Sequence, residues 1–273
     1  MKKLILTIAP MTLLAMANAQ SNNTVVNKLD TVKEKVSLSA SSSLESSLEK
    51  GAGNSFQNTT SLSGKYKLDG GYVLSTGVAF DKDFNNDREL TVRDSSLSVS
   101  KSIGASQTFI YRSLKASLTL PISKRSRKDT DLITALSLGA TYGLSLDKYM
   151  SGVSLYLMPS ITKYAHQYET ARYSLTSNSS HRALTRVLVS YDFAKRFNLS
   201  MDNIYYRTWT YRGNSTDVFV LDQSLSYQVS KELSASLGHS LGGNALDFDG
   251  KSSAVRLFDE NESTVYTNLT YRY

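Results

Sequence analysis

An all-β fold, an antiparallel transmembrane β-barrel of about twelve strands with short turns at one rim and longer loops at the other, is what this sequence predicts. Three observations carry the prediction. Apolar and small polar residues alternate from about residue 35 onward, the period-2 signature of strands with two different faces. Aromatic residues gather at the ends of the alternating segments. Past the N-terminus no run of about 18 apolar residues could cross a bilayer as a helix. In hydrocarbon every backbone N–H and C=O must be paired, so such a chain spans a membrane only as a closed sheet.

The first residues read as an address. Lys2 and Lys3 supply a positive start, Leu4 to Met16 a mostly apolar stretch, and Ala17-Asn18-Ala19 a small-x-small cleavage site, which predicts a signal peptide over 1–19 cut before Gln20. A membrane anchor would need roughly 20 apolar residues, and this run is shorter. Residues 20–34 carry Val25, Val26, Leu29 and Val32 at roughly helical spacing, compatible with a short helix ahead of a barrel over 35–273.

Lys and Arg outnumber Asp and Glu, 31 to 24, but the excess is spread along the chain rather than gathered in a stripe, so no nucleic-acid partner is expected. With no cysteine, the chain offers no disulfide, thiolate nucleophile or thiolate metal ligand.

Twelve segments follow the alternation, at about 36–46, 55–68, 71–82, 89–101, 110–122, 131–146, 152–165, 181–193, 197–209, 217–229, 233–241 and 263–273. Ten or fourteen strands also fit the length. The connections Asp69-Gly70-Gly71, Ala194-Lys195-Arg196 and Ser230-Lys231-Glu232 are tight, whereas 123–130, 166–180 and 242–262 are long. Short turns on one side and long loops on the other are the asymmetry of a membrane barrel.

A soluble sandwich would alternate too, but its outward face usually carries Lys, Glu and Thr. Here the polar face is mostly small, as in Ser137, Gly139, Thr141 and Gly143, which suits a concave lumen. Tyr72, Phe193, Phe197, Tyr227 and Tyr273 fall beside short turns, and Phe80, Trp209 and Phe219 beside long loops, which marks two aromatic girdles. Two features fit less well. Pro159 interrupts an apolar face and predicts a bulge or strand end there. Asn203 and Arg207 fall in outward register, so either a bulge flips them or they sit at the rim.

In the last segment Val265, Leu269, Tyr271 and Tyr273 share one face, and the chain ends on an aromatic residue. This ending resembles that of bacterial outer-membrane β-barrel proteins, in a porin-like manner and without pointing to a particular family. The resemblance covers about 36–273. It implies an outer-membrane location, turns facing the periplasm, and lipid and lipopolysaccharide around the wall. It also implies that the final strand is the signal read by the barrel-assembly machinery. Residues 20–34 would then plug the lumen or hang in the periplasm.

Chemical motifs are weak. Gly238-His239-Ser240-Leu241-Gly242 matches the nucleophile elbow of hydrolases, but that elbow needs a following helix and a downstream histidine, and neither His166, His181 nor His239 lies after Ser240. His239 and Ser240 are neighbours on a strand and so point to opposite faces. A rim enzyme would use His239; the expectation is no catalytic residue. Asp247, Asp249, Asp259, Glu260 and Glu262 read as a solvated acidic loop, and no metal site or cofactor is expected. Lys124-Arg125-Ser126-Arg127-Lys128 reads as an outer loop able to meet phosphates or anionic solutes.

On this register Lys65, Lys67, Lys115, Arg186 and Arg272 face the lumen with Glu45, Asp94, Asp192, Asp202 and Asp222. Charges of both signs over a small-residue wall suit passage of small hydrophilic solutes. The expected function is passive diffusion, slightly favouring anions. The alternative is a non-conducting surface barrel whose loops bind a partner, as adhesins, receptors and structural barrels do.

Overall fold

The computed structural model describes residues 35–49, 54–85, 88–105, 109–147, 149–246, 252–259 and 262–273; the expected signal peptide and the segment 20–34 lie outside the described residues. Strands β1 (Val36–Ser47), β2 (Phe56–Lys67) and β3 (Tyr72–Asp83) open the chain. There follow β4 (Leu90–Val92), β5 (Ser95–Ser102), β6 (Tyr111–Leu120), β7 (Leu132–Ser145) and β8 (Val153–His166). The wall is completed by β9 (Ser179–Ala194), β10 (Phe197–Thr210), β11 (Ser215–Gln228), β12 (Leu233–Asn244) and β13 (Ser263–Arg272).

Each strand pairs antiparallel with the next, and β13 returns to pair with β1, from Ser39 opposite Arg272 to Ser47 opposite Thr264. Both β4 and β5 pair with β3, as successive pieces of one stave, so the 13 strands make a closed twelve-stave, up-and-down barrel. An even number of staves returns Val36 and Arg272 to the same rim. Closure leaves no edge, which is the condition hydrocarbon imposes: each unpaired backbone group there costs several kcal/mol.

Which face is outside is decided by exposure. Leu38 is 50 % exposed, Leu138 53 %, Leu237 61 % and Leu269 56 %, and the pairing registers align them on one face of the wall. Soluble packing would bury such residues; lipid covers them here. Their neighbours in sequence, mostly Ser, Gly and Thr, line the interior.

Departures from the sequence-based expectation are local. The fourth segment is broken at Arg93-Asp94, where Arg93 bonds back to the carbonyl of Ala79 at 2.9 Å and shifts the register. The basic run is not plain loop but a one-turn helix, α1 (Lys124–Lys128), capped by the Ser123 side chain. Pro159 makes no bulge. β8 pairs with β9 in one unbroken register through Pro159 opposite Thr185, and with β7 in the same register on both sides of a local gap, from Gly139 opposite Ser160 to Tyr142 opposite Leu157. The missing N–H therefore interrupts a few ladder bonds without turning the strand.

Arg207 stays outward, because the irregularity in the β9–β10 pairing comes later, between Trp209 and Thr210. Its charge is answered by Asp217, directly opposite on β11. Arg207 Nε donates to one carboxylate oxygen of Asp217 at 2.7 Å and Nη2 to the other at 3.0 Å, and the Tyr205 hydroxyl donates to the same carboxylate.

The rims differ as expected, with three exceptions: the connections 103–110 and 146–152 on the turn side are long, and 211–214 on the loop side is short. Two outer loops are tied together. Asn178 donates to the carbonyls of Thr130 and Tyr168, both at 2.9 Å, Arg172 pairs with Asp131 at 3.1 Å, and Asp129 accepts the Tyr173 N–H at 3.0 Å.

Candidate functional site

The lumen is the site that this architecture builds. Its wall is held by hydroxyls bridging neighbouring strands. Ser41 and Ser61 lie 2.7 Å apart, Ser75 and Ser98 2.8 Å, Ser200 and Ser224 2.8 Å, and Thr162 donates to Ser137 at 3.0 Å. Short side chains that bond along the wall satisfy each other and stay close to it.

Larger interior rings lie flat on glycines. Tyr266 on β13 faces Gly238 on β12, and a Cβ placed on Gly238 would come within 2.2 Å of the ring. The phenol crosses β12 to donate to Asp222 on β11 at 2.8 Å. Tyr156 lies likewise against Gly143, where a Cβ would sit 2.8 Å from the ring. Only glycine lets a ring approach the backbone so closely.

The pairing registers place Lys65 and Lys67 on the interior face, opposite Ser75 and Val73, and Lys115 there, opposite Ser100 and Gly139. Arg186 is interior and grips Asp202 from the adjacent strand, Nε lying 2.8 Å from both carboxylate oxygens. Asp202 stands directly opposite Asp222, also interior. Asp202 is paired with the guanidinium, and Asp222 accepts a hydrogen bond from the neutral Tyr266 phenol.

Beside them Glu45 accepts from the Gln57 amide at 3.0 Å. Ser43, Glu45, Asp222, Ser240, Thr264 and Tyr266 line a recess of about 250 Å³. Asp192 and Arg272 share the interior face at the turn rim, Asp192 accepting from Asn198 at 2.7 Å and Arg272 lying opposite Ser39.

Asp94 lies at the register shift, on the parity of Ser96 and Ser98, which face the interior. It lies in the break between β4 and β5, accepts the Ser123 N–H at 2.8 Å, and receives the Ser126 hydroxyl, so it ties α1 to the wall. The bulge leaves Asp94 in the register of β5 and displaces the residues before it, Leu90 to Arg93.

Sequence reading missed Arg182. Its guanidinium lies 4.5 Å from the Tyr206 ring centroid and 5.8 Å from that of Tyr164, and Nε donates to Thr208 at 3.0 Å. The even positions of β9 carry the signal, whereas Tyr164, Tyr206 and Tyr266 are interior rings that a girdle pattern does not mark. Val265, Leu269, Tyr271 and Tyr273 fall on the outward face, Leu269 opposite Ala235 and Tyr271 opposite Ala40.

His239 does not meet Ser240. Its Nε2 lies 3.0 Å from the hydroxyl of Ser263 on the next strand. Ser263 is fully buried and also accepts the Asp259 N–H at 3.3 Å, so the hydroxyl pins a loop and presents no open nucleophile. Of the acidic loop residues, Asp247, Asp249 and Glu260 lie outside the described residues.

No family model matches the chain, and no curated protein matches it. Solved structures do. An outer membrane channel from Pseudomonas putida F1 superposes with a TM-score of 0.60 at 10% identity, over 88% of this chain and 96% of that one. The chain folds as a bacterial outer-membrane barrel. The NanC porin superposes with a TM-score of 0.54 at 9% identity, over 86% of this chain and 98% of its own. For the KdgM porin the values are 0.50 and 9%, over 85% and 98%. Identities this low speak for the fold of the outer-membrane barrel alone.

Proposed function

We propose that this outer-membrane barrel is a passive diffusion channel for small hydrophilic solutes. The observation that carries the reading is how the interior is furnished: hydroxyl-bearing wall residues bond to one another, and Tyr266 and Tyr156 lie against glycines instead of filling the centre. Eight strands give an interior that side chains just fill and sixteen or more leave a wide aqueous channel, so twelve staves walled by Ser, Gly and Thr support a narrow wet passage. Structural neighbours described as a channel and as porins support the same reading.

The interior charges orient water and solutes across the passage. Among the described residues, interior Lys65, Lys67, Lys115, Arg182 and Arg272 have no carboxylate in salt-bridge reach and Glu45, Asp192 and Asp222 have no cation, whereas Arg186 is paired with Asp202, and this excess of unpaired cations supports a mild preference for anions. Liposomes containing the protein are expected to swell in an isotonic solution of a small neutral sugar. A salt gradient across a bilayer is expected to give a reversal potential of the anion-favouring sign; a cation-favouring potential would remove the charge assignment while leaving the channel.

The alternative, a non-conducting barrel with binding loops, draws on the tied loops 121–131 and 167–178 with Tyr173 and Leu175 exposed at their tip. Swelling separates the two readings. The outward Val265, Leu269, Tyr271 and Tyr273 suit recognition by the assembly machinery, and Tyr273→Ser is expected to lower the yield of folded barrel in cells while leaving refolding in detergent intact.

A further inference from the structure

On the outside of the wall, at the loop rim of β11 to β13, chain rather than lipid covers the sheet. Leu241 and Ser263 face outward by register, yet both are fully buried. The segment Ala254–Asp259 passes over this region. Phe258 stacks on the outward His239, ring centroids 5.8 Å apart and 22° from parallel. Ser263 donates its N–H to the Asp259 carbonyl at 2.9 Å, and Ala254 donates to the carbonyl of Ala245 at 3.0 Å.

The segment's own outer surface is apolar. Val255 is 51 % exposed, Leu257 71 % and Phe258 57 %, within four consecutive residues. The one cation among them, Arg256, is paired with Asp259 at 2.8 Å, so the segment neutralises itself. Its neighbours along the wall do the same: the Asp217 carbonyl accepts the Ala245 N–H at 2.9 Å, and the Asp217 carboxylate is matched by Arg207. Tyr205 and Trp209, on the same face of β10, mark the height at which aromatic rings meet headgroups.

We propose that Ala254–Asp259 is an interfacial anchor whose Val255, Leu257 and Phe258 side chains seat in the outer leaflet, at the boundary of headgroups and acyl chains. An apolar cluster displayed in water on a loop tip would be a liability or a protein interface. Set against the lipid-facing wall, with its charge cancelled locally, it meets the lipid that already covers Leu237 and Leu269 below it. The anchor holds Ala254–Asp259 against the outside of the wall. It does not depend on whether the lumen conducts.

The absence of cysteine makes the test clean, because a nitroxide can be placed at one introduced thiol. Leu257→Cys, with Val255→Cys as a second site, is labelled in the folded barrel in liposomes, and each variant's heat-modifiable gel migration reports its folding. Labels at Leu237→Cys on the lipid-facing wall and Tyr173→Cys at an outer loop tip calibrate the two extremes. The expected result is that labels at 255 and 257 collide with oxygen in preference to a water-soluble nickel chelate, as at 237. Labels that favour the nickel chelate, as at 173, overturn the anchor. So do labels shielded from both reagents, which would mean that a second copy of the chain covers the segment.

Discussion

Gly238 is the residue where fold and function meet most sharply. Any side chain there strikes the Tyr266 ring, and the ring is what brings a hydroxyl to Asp222. Gly238→Val is expected to cost about 1–3 kcal/mol, the usual range for overpacking. It should also swing Tyr266 into the passage, lowering solute flux in the fraction that folds. Denaturant unfolding in detergent measures the first effect and liposome swelling the second. A variant with unchanged flux would show that the ring does not border the path.

At the turn rim Asp147 has a carboxylate held below its ordinary range, first by the Ser145 hydroxyl and then by the Gly152 N–H, which donates at 2.7 Å. A depressed carboxylate stabilises the fold above its unfolded value and loses that contribution as pH falls through the folded one. Acidification should therefore loosen the 146–152 turn, and Asp147→Asn should abolish that dependence; hydrogen exchange at Gly152 reads it. Residue-scale parity was legible for Lys65, Lys115, Arg186, Asp202 and Asp222, because strict alternation assigns a face without knowledge of any partner. It misses Arg93, which a one-residue bulge brings to within 2.6 Å of Asp81 on the interior face, because such a bulge leaves no compositional mark.

At the scale of elements, β10 and β11 carry the charge most costly to place. The Arg207 and Asp217 pair faces outward at the loop rim, with the Asp217 side chain 6 % exposed. Arg207→Met is expected to destabilise the barrel by about 1–3 kcal/mol, because it leaves the Asp217 carboxylate without its charged donor, and Arg207→Met with Asp217→Leu should recover most of that loss. A double-variant loss equal to the sum of the two single losses would mean the pair is not coupled. The sequence showed Arg207 to be out of place but not its remedy, which rests on the β10–β11 register that sets Asp217 opposite.

The outer loops form a second unit. Asn178→Ala removes the amide shared by the Thr130 and Tyr168 carbonyls, at a cost of about 1–3 kcal/mol for buried groups left unpaired. Protease cleavage within 167–178 should then quicken while the strands stay resistant. Composition placed these loops correctly, yet the ties are long-range bonds between loops, invisible to a reading that proceeds along the chain.

For the whole molecule, the stave number, the closure of β13 on β1 and the lipid-facing register all follow from alternation along the chain combined with the rule that hydrocarbon tolerates no unpaired backbone. The break in the fourth segment and the helix α1 did not follow, because both depend on Asp94 reaching Ser123 and Ser126 across the loop. The contents of the lumen were legible as a wall of small residues but not as an arrangement: Tyr266 over Gly238 and Arg182 between two rings depend on which strands become neighbours. Side-chain size suggests a passage, and rings laid against Gly238 and Gly143 are the arrangement that the proposed passage requires.

The central claim is that this interior conducts. The direct measurement is single-channel recording of the purified, heat-modifiable barrel in a planar lipid bilayer. Discrete, ohmic current steps that scale with salt concentration are the predicted result; a folded barrel that inserts and passes no current would contradict it.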